Sequence, residues 1–293
     1  MASLEIIPVV DLMAGRVVHA RQGDRQNYKP LFTPFSAVAE PVAVVRGLLG
    51  AGNFRTIYVA DLDALMGKAP QLRLLETLAL SFPETRFWMD LGRHGLDMHG
   101  SHWLGQDSWP VIGSESLTEP MLDSLAHPPA NFILSLDFQD RHMLLGPEQL
   151  LAKPESWPAK VILMNLKRVG GLDGPDFEQA GHFVRQYPGR EFIAAGGVRD
   201  DRDLLVLERI GVSAVLVYRP PCGKYQLPSV SNIAVTTNLG RQNTEFPGEK
   251  NAVPLGGTAF FRRLLTCEPR KDARPGSSAS PHRPPSARRR RRA

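Results

Sequence analysis

The sequence predicts an α/β fold. Residues 1–220 are expected to form a (β/α)8 TIM barrel built of two half-barrel repeats with an atypical last unit, and residues 221–293 an atypical or disordered basic tail. Three observations carry this prediction. Short apolar runs recur that end abruptly in a polar residue, the pattern of parallel strands buried on both faces. Stretches with helical spacing lie between them. The strands also repeat: Thr56–Ala60 matches Val161–Asn165 and Phe87–Gly92 matches Phe192–Gly197, both at an offset of 105, and Val111-Ile112 matches Val215-Leu216 at 104. Self-similarity at a fixed offset marks a fold made of like units. Four strands per half give eight.

The first strand is the apolar run Ile6–Val10, ended by Asp11. Residues 22–36 are polar and contain Gly and Pro, and are expected to form a long loop. Over 37–51, Val42, Val45, Leu48 and Leu49 share one helical face, and Gly52 is the stop. A second strand ends at Asp61-Leu62-Asp63. A helix over 70–80 starts at Pro70 and turns Leu72, Leu75, Leu78 and Ala79 inward. The third strand, 86–91, leads to a loop rich in Gly and His. The fourth, Pro110–Ile112, turns at Gly113-Ser114-Glu115-Ser116, and the helix after it ends before Pro128-Pro129. The fifth ends at Asp137, so Phe132–Asp137 repeats the apolar run and aspartate of the first strand. That pair is 126 apart, so the first half carries extra residues. The sixth strand ends at Asn165, before a glycine-rich loop over 168–175 and a helix over 176–187. The seventh ends at Gly196-Gly197, before a helix containing Leu204, Leu205 and Leu207. The eighth, 213–218, runs straight into Arg219-Pro220-Pro221, and the periodicity then fades. Residues 270–293 are Pro, Ser and Arg, a composition that buries no core.

A chain of 293 residues can build one large core. Cys222 and Cys267 offer neither metal spacing nor a disulfide framework, which suits a reducing cytoplasm. The first residues lack the basic flank of a signal peptide, and no apolar run reaches the roughly 18 residues of a membrane span. The net charge of +5 conceals an asymmetry: residues 1–218 carry −6 and residues 219–293 carry +11. The final Arg288–Arg292 run has the charge for nucleic-acid contact, but it has no interleaved aromatics and belongs to no recognisable module. A monomer with a small-molecule partner, and neither a membrane nor a specific nucleic acid, is the expectation.

Asp11 and Asp137 are predicted to face each other across the barrel mouth, where such barrels do their chemistry. Two carboxylates in one small pocket suit acid–base work, one giving a proton while the other takes one. Gly196-Gly197, before a helix, lets backbone N–H groups approach a phosphate. Gly92 and Gly113-Ser114 are their counterparts in the first half, a second candidate phosphate site with Asp90 close by. Asp61 and Asp63 suggest a structural or substrate-hydroxyl role rather than a metal. His94, His99 and His102 read as solvated, and no metal or cofactor site is predicted.

The stretches IIPVVDLMAGRVVHARQGD, YVADLDALMG, ILSLDFQD and FIAAGGVRDDRDLLVLERIGVSAVLV resemble the histidine-biosynthesis barrel family, which includes the ProFAR isomerase and the imidazole glycerol phosphate synthase cyclase. The resemblance covers roughly residues 4–217, and Gln22-Gly23-Asp24 is nearer the isomerase. It implies a bis-phosphorylated phosphoribosyl substrate, held across the mouth, and an Amadori aldose–ketose rearrangement without a cofactor. Asp11 would remove the sugar C2 proton, Asp137 would open the ribose ring, and Gly196 and Gly197 would hold one phosphate. His19 and Asn165 occupy further substrate-binding positions, although the isomerase usually has Arg and Thr there. Asp90-Leu91-Gly92 replaces a glycine-rich turn, and Tyr218-Arg219-Pro220-Pro221 replaces the small turn and helix after strand eight. These departures leave open a diverged relative acting on or binding another phosphorylated metabolite, for instance in one-carbon cofactor synthesis.

Overall fold

The computed structural model describes residues 4–217 apart from 20–23, 33–35, 37, 98–106, 127–130 and 172. In chain order the regular elements are β1 (Glu5–Met13), β2 (Arg16–His19), β3 (Lys29–Pro30), α1 (Pro41–Ala51), β4 (Thr56–Asp61), α2 (Leu62–Leu65), α3 (Leu72–Ser81), β5 (Arg86–Asp90), β6 (Ser108–Gly113), β7 (Ile133–Asp140), β8 (Met143–Leu144), α4 (Gln149–Ala152), β9 (Lys160–Asn165), α5 (Phe177–Gln186), β10 (Glu191–Ala195), α6 (Asp201–Ile210) and β11 (Ala214–Val217). Eight of the strands form the parallel series β1-β4-β5-β6-β7-β9-β10-β11. The series closes on itself, because β11 pairs β1 with Ile6 opposite Val215 and Ile7 opposite Leu216. The predicted eighth strand therefore completes a TIM barrel. The expected tail, and Tyr218–Pro221, lie outside the described residues.

The halves correspond as the repeat predicts. Four places round the ring, β1 faces β7, β4 faces β9, β5 faces β10 and β6 faces β11. Alternation along each strand sorts the side chains. Ile7, Tyr58, Trp88, Val111, Ile133, Ile162, Ile193 and Ala214, one from each barrel strand, form a single buried cluster that fills the interior. Residues of opposite parity pack outward in two separate clusters. One, including Val10, Val59, Phe87 and Leu75, belongs to the first half. The other is built mainly from the second half around Phe183, Trp157, Phe192 and Leu207.

The helices start where their caps allow. The Glu40 carboxylate accepts the N–H groups of Val42 and Ala43 at 2.9 and 2.6 Å, and Pro41 supplies the first turn. This places the start of α1 four residues later than the spacing predicts. The Asp176 and Asp200 side chains cap α5 and α6, and Gly211 ends α6 at φ 98°. Two expectations are corrected. The segment between β6 and β7 winds as 3₁₀ turns over Ser114–Ser116 and Glu119–Ala126, not as an α-helix. Pro120 lies in the first turn of the second of these, and short 3₁₀ pieces are the usual form at such interruptions. The first strand does not stop at Asp11 either. It continues to Met13 and folds back through Ala14-Gly15, both at positive φ, into β2, with Asp11 opposite Val18. β3 then adds a third strand to this arm, inside the expected loop.

That arm is held from the side. The Ala14 N–H donates to Asp63 Oδ2 and the Gly15 N–H to Gln71 Oε1, each at 2.7 Å. Asp61, fully buried, in turn accepts from the Gln71 N–H at 2.6 Å, from Gln71 Nε2 at 2.9 Å and from the Ala64 N–H at 3.2 Å. Asp61 and Asp63 thus hold the hairpin that carries Asp11. Asp61→Ala leaves two backbone donors without an acceptor and should destabilise the fold by about 2–4 kcal/mol in urea unfolding. A loss below about 0.5 kcal/mol, the range of ordinary surface changes, would mean that water replaces the carboxylate at no cost.

Candidate functional site

Strand alternation continues to the C-terminal ends of the strands and turns polar there. On β1 the inward sequence Ile7, Val9 ends in Asp11, and on β7 Ile133, Ser135 ends in Asp137. On β4 and β5 the same parity brings Tyr58 and Asp90 inward. Together they line a cavity of about 380 Å³ at the barrel mouth. Glu115, Arg25 and His19 line it from the loops and the β-arm, and Gly170, Gly171, Gly196 and Gly197 line it from the second half.

The cavity is crowded with buried carboxyl groups. Asp11 is 5% exposed, and its Oδ2 has no hydrogen-bond partner among the described residues. Burial pushes its pKa up to about 7, with Arg25 opposing and Asp90 adding to the rise. Asp137 is pushed up to about 8, by burial first and by Glu115 next. The Ser135 hydroxyl, donating to Oδ1 at 2.6 Å, and the Glu115 N–H, donating to Oδ2 at 3.1 Å, hold it back. The Asp137 N–H donates to Ser114 Oγ at 2.8 Å, which fixes the strand end. Asp90 rises to about 6 through burial, opposed by the Gly92 N–H at 3.0 Å and the Tyr58 hydroxyl at 2.8 Å, both of which donate to it. Burial, together with Asp90, holds the Tyr58 hydroxyl well above its usual value, so it remains a donor. Arg25 pairs with Glu115.

The residues singled out in the sequence divide into two groups. Asp11, Asp137, Gly196, Gly197 and His19 line the cavity; Gly92, Gly113, Ser114 and Asn165 do not. Gly196 and Gly197 sit at φ 100° and 83°, where added side chains would meet the carbonyl oxygens of Asn165 and Gly174 at 2.6 and 2.3 Å. Only glycine admits that turn. Asn165 shares the outward parity of Val161 and Leu163; its backbone carbonyl packs close against Gly196, while its buried side-chain Oδ1 has no partner among the described residues. The Gly92 N–H holds the Asp90 carboxyl, and Ser114 Oγ accepts the Asp137 N–H and lies 3.5 Å from Asp137 Oδ2, to which it donates. Sequence reasoning missed Tyr58, Arg25 and Glu115. Tyr58 had a signal, a polar atom at inward parity; Arg25 and Glu115 lie in irregular segments where no period singles them out. Among the described residues no three His, Cys, Asp or Glu side chains are arranged to hold a metal ion.

The three raised carboxyls fix the sign of a stability effect. Each holds its proton more tightly when folded than at the ordinary value of 3.8, so the native state binds more protons as the pH climbs above that value. The stability from these groups is full below 3.8 and is lost as pH rises through about 6 for Asp90, 7 for Asp11 and 8 for Asp137. The melting temperature should fall between about pH 4 and 8, the span from the ordinary carboxyl value to the highest of the three, and Asp137→Asn should flatten the fall. A natural chain whose melting temperature holds or rises across that range would show that these groups ionise without penalty.

The family model for histidine biosynthesis proteins matches residues 5–219. An uncharacterized protein of Methanocaldococcus jannaschii is 25% identical over 218 residues, covering 73% of this chain and 91% of that protein. The 1-(5-phosphoribosyl)-5-((5-phosphoribosylamino)methylideneamino) imidazole-4-carboxamide isomerase of Thermomicrobium roseum is 29% identical over 231 residues, covering 73% of this chain and 90% of the enzyme. The isomerase of the same name from Alkalilimnicola ehrlichii is 27% identical over 233 residues, covering 74% and 90%. With a closed barrel, an aspartate at the first strand end of each half, and a family match over almost all of the described residues, the chain belongs to the histidine biosynthesis protein family.

Proposed function

We propose that this chain is an aldose–ketose isomerase that performs an Amadori rearrangement on a phosphorylated sugar bearing nitrogen at C1. The observation that carries the reading is the pair Asp11 and Asp137: two buried carboxyls at equivalent strand ends of the two halves, lining one cavity, each with its pKa raised by burial. Both are raised by burial into the range where a carboxyl can give or take a proton near neutral pH, as an acid–base pair must.

The steps balance without a cofactor. Asp137 gives its proton to the ring oxygen as the C1–O bond breaks, and the nitrogen lone pair forms a C1 iminium. Asp11 takes the C2 proton, and the C2–H electron pair becomes the C1–C2 double bond of an enaminol. The C2 hydroxyl proton then returns to Asp137, the proton on Asp11 goes to C1, and a C2 ketone remains. C2 is oxidised and C1 reduced within one molecule. The Gly196-Gly197 turn supplies the surface for the sugar phosphate. The phosphoribosyl compound in the names of the related isomerases is one candidate substrate. A diverged relative that takes another phosphorylated metabolite is a second reading, favoured by Asp90 at the opposite side of the cavity.

The test is C2 hydrogen exchange in deuterated water, followed by NMR on a panel of N-linked aldose phosphates that includes the phosphoribosyl compound. Exchange and ketose formation should follow a bell-shaped pH profile with limbs near 7 and 8. Asp11→Asn and Asp137→Asn should each lower the rate by about 10²–10⁴-fold without unfolding the chain. A variant that turns over within about threefold of the natural chain would remove that residue from the mechanism.

A further inference from the structure

The two halves of the barrel mouth do not offer the same chemistry. In the second half the turn after β10 is Gly196-Gly197, preceded by Ala195, and all three residues line the cavity. In the first half Asp90 stands at the position of Ala195, and Gly92, at φ 57°, stands at that of Gly197. The Gly92 N–H, which would otherwise be open to an anion, donates to Asp90 Oδ1 at 3.0 Å. The neighbouring Glu115 N–H donates to Asp137 Oδ2 at 3.1 Å. The open side of Gly113 is covered as well: a methyl group built there would meet Asp137 Oδ2 at 2.8 Å and Asp90 Oδ2 at 3.9 Å. Carboxylate oxygens already occupy the places and the donors that a phosphate would use.

The charge points the same way. Asp11, Asp90, Glu115 and Asp137 line the cavity, and Arg25, the arginine that lines it among the described residues, is paired with Glu115. Asp11 Oδ2 is buried against the cavity with no hydrogen-bond partner among the described residues. An acceptor desolvated in this way calls for a donor from a ligand. A phosphate brings negative charge and acceptors, whereas an ammonium or amidinium brings positive charge and several N–H donors.

We propose that the first-half side of the cavity binds the cationic end, an amine or amidine, of a sugar monophosphate whose single phosphate lies on the Gly196-Gly197 turn. The inference rests on the reading above that this turn takes a phosphate. It narrows the substrate class from a bis-phosphate to a ligand with one anionic and one cationic end. Asp90 is a binding residue for that end, and Tyr58 a positioning residue that holds Asp90 in place at 2.8 Å.

Three ketose phosphates that differ only at C1 test this on the full chain by calorimetry: 1-amino-1-deoxyfructose 6-phosphate, fructose 6-phosphate and fructose 1,6-bisphosphate. The aminosugar should bind most tightly and the bisphosphate most weakly, with about a tenfold or larger difference between these two. Aminosugar binding should release protons, seen as a dependence of the heat on the ionisation enthalpy of the buffer, because a cation drives the carboxyls to ionise. Asp90→Asn keeps the shape, and should narrow the preference for the aminosugar. Bisphosphate binding as tight as the aminosugar in the natural chain overturns the inference and leaves the phosphate reading standing. An unchanged preference in a folded Asp90→Asn variant overturns the role of Asp90. Failure of all three sugars to bind overturns the phosphate reading and this inference with it.

Discussion

The pairing of β1 with β11 is the constraint on which the mouth of the barrel depends. β1 is held on both sides, by β4 with Asp11 opposite Ala60 and by β11 with Ile7 opposite Leu216. Side chains alternate along a strand, so a slip of one residue would turn Ile7, Val9 and Asp11 outward and bring Val10 and Leu12 into the interior. Two registers must fail together for that to happen. The β-arm adds a third restraint, since Asp11 also lies opposite Val18, and Asp63 and Gln71 hold the arm at its turn. Asp137 has a comparable frame: β6 and β9 flank its strand, and Ser114, Ser135 and Glu115 bond to it. The facing carboxyls are therefore a product of sheet closure rather than of loop conformation.

This placement has an energetic consequence. A carboxylate taken out of water is costly unless donors replace the lost hydration, and the usual relief is to keep the proton. Asp63 and Asp176 lie outside the cavity and have cationic partners, Lys68 and Arg141, that bring their pKa values below the ordinary range. Among the described residues Asp11, Asp90 and Asp137 form no such ion pair, and they move the other way. The same chain thus treats carboxyls in two ways. Asp63 and Asp176 are paired and more readily ionised; Asp11, Asp90 and Asp137 are buried in the cavity and keep their protons toward neutral pH. The second group weakens the fold at alkaline pH and supplies groups able to exchange protons near neutral pH.

The barrel was legible because its signals are periodic. Short apolar runs and a constant offset survive wherever core packing demands them, and the eight predicted strands agree with the observed ones to within about three residues. Asp11 and Asp137 were legible because each ends an apolar run. Other features lacked such a signal. The β-arm depends on the Ala14-Gly15 turn and on Asp63, 49 residues away from Ala14. The Arg25–Glu115 pair spans 90 residues and joins two irregular segments. The 3₁₀ turns between β6 and β7 carry apolar residues at spacings that suit an α-helix equally well, and only the proline and the packing decide between them. Gly92, Gly113 and Ser114 were legible as a repeat of the second half, but what they bind locally depends on how carboxylates fold back onto their own strand ends.

Asp90 shows how one residue can separate two halves that share a backbone. Gly92 and Gly197 both take positive φ, and both follow the end of an equivalent strand by two positions. Two residues before Gly197 stands Ala195, whose methyl group accepts no hydrogen bond. Two residues before Gly92 stands Asp90, whose side chain is of the right length to accept the N–H of the residue two further on, as short carboxylates do in turns. With alanine the turn presents its backbone outward; with aspartate it satisfies itself and presents a carboxylate. The Tyr58 hydroxyl fixes the second oxygen, so Asp90 cannot swing away without leaving a buried phenol without its acceptor. A single aspartate, held at both oxygens, is thus enough to reverse the electrostatic character of one half of a repeated fold while the barrel around it stays the same.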